Sequence, residues 1–276
     1  MIYDVEQNPL NNAFSTKPPK QGDLVFCYSG EEILIKNQDG RFVLPTYGEI
    51  TPKCHHIFAI NGKDCYLAEE QIPPFGEYDY LNTRILMTSF SDYKIFLVAT
   101  TGLQLFRWEK SRAFCGCCGT PTVRSQKERA MVCPKCNNTE YPKICPATIT
   151  AITHNGKLLM ARHTKNPKRG YGLIAGFCEI GETFEQNVQR EVMEEVGLKV
   201  KNVTYFKNQP WGITDSHMIG FLAQLDGDDE TVRLQEDEIV EARWFTPDEI
   251  TPPANNFSLY SQLVLNFLAT NGAKNK

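Results

Sequence analysis

The sequence predicts an α+β protein in three blocks. Short alternating apolar runs extend to residue 110, two paired cysteine knuckles fall within 111–141, and strands alternate with helices around one acidic helix from 142 to 276. A chain of 276 residues has room for more than one domain. With 41% hydrophobic residues, 22% charged residues and a net charge of −4, it has the composition of an ordinary globular protein. No segment reaches the roughly 18 apolar residues of a membrane span. Residues 1–14 lack the basic region and apolar stretch of a secretory signal. Membrane insertion and export are therefore not expected.

In the first block, Asp23–Cys27, Ile57–Ile60 and Ile95–Val98 are apolar runs punctuated by Gly, Pro, Asn and Asp, the pattern of strands. Gly102–Trp108 reads as a short helical passage into the next block. Cys54, His55 and His56 are adjacent, and neighbours on a strand point to opposite faces, so they are expected to be structural or surface positions rather than a ligand cluster. Cys27, Cys65, Cys145 and Cys178 read as small core residues.

The second block carries Cys115-Gly-Cys-Cys118 and Cys133-Pro-Lys-Cys136, two CxxC pairs separated by fourteen residues. Each knuckle turns two thiolates to one side, and two knuckles complete a tetrahedral structural zinc site. Cys117 offers an alternative ligand within the first knuckle, but the spacing favours Cys115 and Cys118 and leaves Cys117 a free thiol. A closed Cys₄ site has no position for substrate, so the ion is structural. Thiols in this pattern indicate a reducing compartment, here the cytoplasm. Arg112, Arg124, Lys127, Arg129 and Lys135 make the block basic. A structural joint is the favoured reading and a nucleic-acid reader the second.

The third block centres on residues 176–198. Gly176 is followed after five residues by Glu182, and after seven more by Arg190-Glu191-Val192-x-Glu194-Glu195-x-Gly197-Leu198. Thr183 with Gln186 three positions on is a capping box, which starts a helix, and Gly197 ends it. Phe184, Val188, Val192 and Val196 define its apolar stripe. Glu191 and Glu195 project near each other at the margin of that stripe, with Glu194 on the outer side. Such carboxylates repel one another and lose solvation, and a hard divalent cation such as Mg²⁺ or Mn²⁺ relieves both penalties. Glu182 and Arg190 read as an ion pair that fixes the preceding loop.

This segment resembles the signature of the Nudix hydrolases at every defined position. The resemblance implies an α/β/α sandwich with a mixed sheet and a loop–helix–loop holding Mg²⁺ or Mn²⁺ against the diphosphate of a nucleoside derivative. It makes Glu191 and Glu195 metal ligands, and Glu194 a residue that helps hold metal or activate water. The catalytic set is then Glu191, Glu194 and Glu195.

Lys207–His217 also resembles the Ser-Gln-Pro-Trp-Pro-Phe-Pro-x-Ser element of the NADH pyrophosphatase branch of that family, which likewise carries an N-terminal domain and a Cys₄ ribbon. Gln209, Pro210, Trp211 and Ser216 match, while Asn208, Gly212, Ile213 and Thr214 depart, and losing those apolar and proline positions is expected to loosen the loop. Carried over by position, substrate contacts fall on Gln209, Pro210, Trp211, Ser216, Tyr141, Phe177 and Glu128. A further metal carboxylate falls on Glu238, and a metal-binding backbone carbonyl on Ala175. Tyr260 stands where the family more often has a small substrate-touching residue. Arg162, His163, Lys165, Lys168 and Arg169 form either a phosphate-steering approach or a solvated basic loop.

The resemblance implies a homodimeric, metal-dependent hydrolase that converts NAD(H) to AMP and nicotinamide mononucleotide, with the NAD cap of RNA presenting the same linkage. Two alternatives stand beside it. One is a Nudix enzyme for ADP-ribose, FAD or another capped RNA. The other is a non-catalytic nucleotide sensor whose ribbon binds nucleic acid.

Overall fold

The computed structural model describes residues 10–39, 41–87, 93–164 and 170–272. Lys165, Lys168 and Arg169 lie outside the described residues. Contacts divide the chain into two compact units, one of residues 2–143 with Gly212–Asp215, the other of residues 144–211 with 216–276.

The first unit contains β1 (Leu10–Asn11), β2 (Leu24–Phe26), β3 (Tyr28–Ser29), β4 (Glu32–Gln38), β5 (Arg41–Val43), β6 (Cys54–Ile60), β7 (Lys63–Ala68), β8 (Asp79–Asn82) and α1 (Tyr93–Ser111). One sheet has the order β1-β6-β7-β2, with β2 parallel to β7. In the other, β3, β4 and β5 are neighbours and β8 also pairs with β4. Ile95–Val98 is thus helical, not a strand, and Gly102–Trp108 lies inside a 19-residue helix rather than forming a short passage. Four consecutive apolar residues fit a buried helix as well as a strand. Here Phe96, Leu97, Val98 and Ala99 are all buried, so the run carries no face that periodicity can reveal.

His55 Nε2 lies 2.8 Å from Glu109 Oε1, and His56 Nε2 lies 3.3 Å from Asp64 Oδ1, which makes both imidazoles structural. Cys27 and Cys65 are fully buried, as expected of core cysteines. Cys145 and Cys178 are only half-buried, because each sits at an end of strand or loop rather than mid-sheet.

The ribbon strands β9 (Val123–Arg124), β10 (Met131–Val132) and β11 (Thr139–Glu140) form a small antiparallel sheet ordered β11-β10-β9. Cys133 N–H donates to Asn138 O at 2.9 Å, and Asn137 N–H to Cys133 O at 2.9 Å, closing one knuckle; Gly119 N–H donates to Cys115 O at 2.9 Å in the other.

The second unit is built on β12 (Cys145–His154), β13 (Lys157–His163), β14 (Ile174–Phe177), β15 (Val200–Trp211), β16 (Ser216–Leu225) and β17 (Ile239–Phe245), with α2 (Phe184–Val196) and α3 (Leu259–Asn271). Its mixed sheet has the order β15-β16-β12-β13-β17, with β14 also on β12 and only the β12–β16 pair parallel. Alternation along β13 divides the core. Leu159 and Ala161 pack on the face that receives Val188, Val192 and Val196 of α2, while Leu158 and Met160 pack on the face that receives Leu263, Val264 and Phe267 of α3. This is the α/β/α sandwich the sequence implied. Phe184 is 42% exposed and leaves the α2 stripe. Each four-residue step overshoots a full turn by about 40°, so three steps carry Val196 about 120° away from Phe184.

Candidate active site and metal clusters

Thr183 caps α2 as the sequence indicates: its side chain accepts from Gln186 N–H at 3.2 Å, and Gln186 Oε1 accepts from Thr183 N–H at 2.8 Å. Gly197 closes the helix in the left-handed region at φ 69°. The intervening 13 residues hold the box carboxylates at fixed angles.

Arg190 organises the loop side of the cluster. Its Nε donates to Glu182 Oε1 at 2.6 Å, and its Nη2 to Glu182 Oε2 at 3.1 Å and to the Phe177 carbonyl at 3.0 Å. Glu182 also accepts from Glu179 N–H at 3.0 Å. The Arg190 guanidinium holds the Glu182 carboxyl down at about 2, so the pair is ionised across the physiological range. Arg190 Nη1 turns the other way and donates to Glu191 Oε1 and Glu194 Oε2, each at 2.9 Å. It is thus also the local counter-charge of the acidic ridge.

Sequence reasoning missed Asn187. It is fully buried, donates through Nδ2 to the Phe177 carbonyl at 2.9 Å and accepts from Thr148 Oγ1 at 2.6 Å, tying α2 to β14 and β12. Its position one turn after the cap, inside a polar stretch, gave no periodic signal.

On the inner side, Glu195 is 2% exposed, and its Oε2 is buried without a hydrogen-bond partner. Burial pushes its carboxyl up to about 8; the charges of Glu191, Glu238 and Glu194 act in the same direction, and a hydrogen bond from the Ala175 backbone opposes them. Burial likewise raises the Glu191 carboxyl, with help from Glu194 and Glu238. Glu238 itself is exposed and is held by backbone bonds from its N–H to Gln235 O at 3.0 Å and from Thr164 N–H to its carbonyl at 2.8 Å. Gly176 makes room for this arrangement. A Cβ there would lie 1.9 Å from Glu191 Cδ and 2.1 Å from each carboxylate oxygen. The structure therefore brings Glu191, Glu194, Glu195, Glu238 and Ala175 to one locality.

A divalent cation fits these residues: an orphaned buried carboxylate oxygen and mutually raised carboxyls are what oxygen-preferring ions relieve. Among the described residues, only Cys115, Cys118, Cys133 and Cys136 have their ligand atoms all within 4.8 Å of one another. Their sulfurs approach to 3.5–3.6 Å, the Cys118 thiol is lowered to about 6, first by hydrogen bonds from Thr120, and zinc fits this donor set. Cys117 is exposed and stands outside that group.

The substrate-contact expectations divide. Tyr141 and Phe177 are 57% and 55% exposed, and Tyr141 donates to Glu128 Oε1 at 3.2 Å. Pro210 and Trp211 are half-buried at the end of β15. Gln209 is 1% exposed, its Nε2 donates to Phe257 O at 3.0 Å and its Oε1 accepts from Leu259 N–H at 2.7 Å, so its amide anchors the start of α3. Ser216, at 3% exposure, is also buried. Strand alternation turns both residues inward. Tyr260 donates to the Tyr171 carbonyl at 3.2 Å and packs against the α3-side core.

The basic residues are largely committed. Arg162 pairs with Glu241 at 2.7 Å. Arg124 pairs with Glu69 at 2.7 Å and Glu109 at 2.9 Å, Arg112 lies 3.6 Å from Glu140, and Arg129 donates to the Ile57 and Asn12 carbonyls. The ribbon's charge is spent on internal joints, which leaves exposed Lys127 and Lys135 as its outward cations.

Residues 145–265 match the model of the NUDIX domain, and residues 110–141 match that of the NADH pyrophosphatase zinc ribbon domain. The chain is similar to the NAD-capped RNA hydrolase NudC of Mannheimia succiniciproducens, 40% identical over 203 residues that cover 71% of this chain and 74% of that protein. It is 41% identical to the protein of the same name from Haemophilus influenzae (strain PittEE) over 179 residues, covering 64% and 66% of the two chains. A crystal structure of a NUDIX hydrolase from Nitrosomonas europaea aligns with a TM-score of 0.49 at 22% identity, over 58% of this chain and 93% of that one. With its intact signature, its Cys₄ ribbon and a relative matched across most of its length, the chain belongs to the Nudix hydrolases that carry an NADH pyrophosphatase zinc ribbon.

Proposed function

We propose that this protein hydrolyses the diphosphate linkage of NAD(H), releasing AMP and nicotinamide mononucleotide, and that it acts on the same linkage in the 5′ NAD cap of RNA. The observation that carries the hydrolytic reading is the buried carboxylate of Glu195, whose Oε2 has no hydrogen-bond partner, beside Glu191 and Glu238, with Gly176 keeping the space that the Glu191 carboxylate occupies. The substrate class rests on the relatives named for NAD-capped RNA and on the ribbon's family description.

Glu191, Glu195, Glu238 and the Ala175 carbonyl would hold Mg²⁺ or Mn²⁺. The ion supplies neutralisation of phosphoryl charge and a lowered pKa for bound water. Glu194, 51% exposed at its side chain and paired with Arg190, would orient the attacking water, whereas Glu195, 2% exposed, would serve the ion. Arg190 keeps the ridge from flying apart before the diphosphate arrives. By resemblance the substrate set is Tyr141, Phe177, Glu128, Gln209, Pro210, Trp211 and Ser216; the Tyr141 and Phe177 rings are each exposed, and Glu128 is held beside the Tyr141 hydroxyl.

Zinc in the ribbon, a homodimer in which one aromatic comes from the partner, and a cytoplasmic setting belong to the same reading. No described helix is long and apolar enough to cross a membrane.

Turnover of NADH, NAD⁺, ADP-ribose and NAD-capped RNA, measured with Mg²⁺ and with Mn²⁺, tests the reading. Release of AMP and nicotinamide mononucleotide from NADH supports it. Full turnover of all four substrates by Glu195→Gln would overturn the mechanism.

A further inference from the structure

The turn joining β15 to β16 is where the sequence departs from the family element, and the losses at Gly212, Ile213 and Thr214 led to the expectation of a looser loop. The structure has the opposite character. Ile213 is 5% exposed. Arg107, on α1, donates through Nη1 to the Ile213 carbonyl at 3.1 Å, and through Nη2 to the Gly212 carbonyl and the Asp215 carboxylate. Glu31 accepts from the same Nη1 at 3.1 Å and holds the guanidinium from its other side. The Arg107 Nε is buried without a partner, a desolvation cost that accompanies the aim of both terminal nitrogens at the turn.

Gly212 is required by a second contact. A Cβ at that position would lie 2.5 Å from the Thr100 carbonyl oxygen and 2.7 Å from its carbon. That carbonyl belongs to α1, so the backbone of the turn rests directly on the helix one face of which carries Arg107. Asp215 closes the turn with φ at 56°, in the left-handed region that Asp tolerates better than most residues. Two prolines would stiffen such a turn by fixing φ. Here stiffness comes from a planar guanidinium that reads two carbonyls and a carboxylate at once, which lysine cannot reproduce.

We propose that Arg107 is a positioning residue for substrate selectivity. By fixing Gly212–Asp215 it sets the attitude of Trp211, the residue immediately before the turn, and so favours substrates that carry nicotinamide over those that end at the ribose. The inference rests on the proposed function, in which Trp211 belongs to the substrate set by resemblance, and it extends that reading by assigning Trp211 to the nicotinamide half of NAD(H). It assigns Arg107 no contact with the reacting atoms.

The test is steady-state kinetics on zinc-loaded, full-length protein with NADH and ADP-ribose, which share the diphosphate and differ in the nicotinamide. Arg107→Met is expected to raise KM for NADH about tenfold, the order of loss that a displaced binding group produces. Both kcat values and KM for ADP-ribose should stay within about twofold on the same grounds. Arg107→Lys should rescue only part of the NADH defect. Asp215→Asn should shift NADH KM in the same direction by less, and the double variant should match Arg107→Met rather than the product of the two, because both act through one contact.

Equal losses on both substrates, or an unchanged NADH KM, would overturn the proposal. If Arg107→Met does not fold, Asp215→Asn decides by the same selectivity ratio. A wild-type protein that does not hydrolyse NADH would instead defeat the functional reading on which the inference stands, and the two failures are thereby separated.

Discussion

The chain carries two clusters of metal-type donors that differ in how far the polypeptide has assembled them. The four ribbon sulfurs stand within 4.8 Å of one another, and each knuckle is closed by its own backbone bonds. The carboxylates of Glu191, Glu194, Glu195 and Glu238 share a locality without that spacing, and Arg190 occupies two of them. Thiols lose a proton to bind and repel little before they do, so turns can gather them in advance. Carboxylates are charged at the outset, and burying one raises its pKa instead of drawing its neighbours closer. A structural cluster can be folded shut, while one meant to exchange ions and phosphates stays open and counter-charged.

The largest expected effect breaks the closed cluster. Cys133→Ser removes a fully buried sulfur from a site whose zinc supplies folding free energy, about 10–16 kcal/mol in isolated zinc modules. Zinc measured on purified protein should fall to background, and the ribbon should become protease-sensitive. Retained stoichiometric zinc would show that these four cysteines are not the ligand set. By contrast, Glu195→Gln should leave zinc content untouched and lower NADH turnover by at least about 100-fold. If it lowered zinc as well, the two clusters would not be independent.

Next comes Gly176→Ala, which asks whether the space beside Glu191 matters. The added methyl carbon would overlap a carboxylate 1.9 Å away, and that side chain must rotate off β14. Activity should drop by roughly 10–100-fold, as expected for a displaced catalytic group, with zinc unchanged. Wild-type activity would mean that Glu191 works from another rotamer.

These contrasts also explain what the sequence disclosed. Spacing was enough to single out the four ribbon cysteines and the helix-borne Glu191, Glu194 and Glu195, because knuckles and helix faces are local patterns, and so was the capping box at Thr183; Glu238 and Ala175 were named only through the resemblance. Asn187 and Gln209 were beyond reach for the opposite reason. Their partners, Thr148 and Phe257, lie 39 and 48 residues away, and only the folded sheet brings them together. The motif that singles out Gln209 does not say that its amide also serves the scaffold at the start of α3. Ile95–Val98 was misread because the buried run Phe96–Ala99 has no polar face to set its period. The turn at Gly212–Asp215 was judged loose on composition, since the arginine that holds it lies more than 100 residues earlier on α1.

The smallest effect is a shift of stability with pH in protein that retains zinc but carries no Mg²⁺ or Mn²⁺. Burial holds the Glu195 carboxyl at about 8 in the folded chain, against 4.5 for an ordinary glutamate, so between those limits the unfolded state is the one that has released its proton. Folded stability from this group is fully present below about 4.5 and is lost as pH rises toward 8; Glu191, also raised, adds in the same sense. Glu182 acts oppositely, since its carboxyl is held at about 2, but its contribution is lost only in acid below the window of interest. Thermal midpoints should therefore fall by a few degrees between pH 5.5 and 8, at about 2–4 °C per kcal/mol for a chain of this class. Added Mn²⁺ should restore more at pH 8 than at 5.5, because the ion binds the deprotonated carboxylates. Glu195→Gln should flatten the pH slope and most of the Mn²⁺ response, and should leave the zinc-dependent part of the midpoint where it was. A pH slope that survives this substitution would place its source outside the carboxylate cluster, and the contrast between the open and the closed cluster would then have to be drawn on other residues.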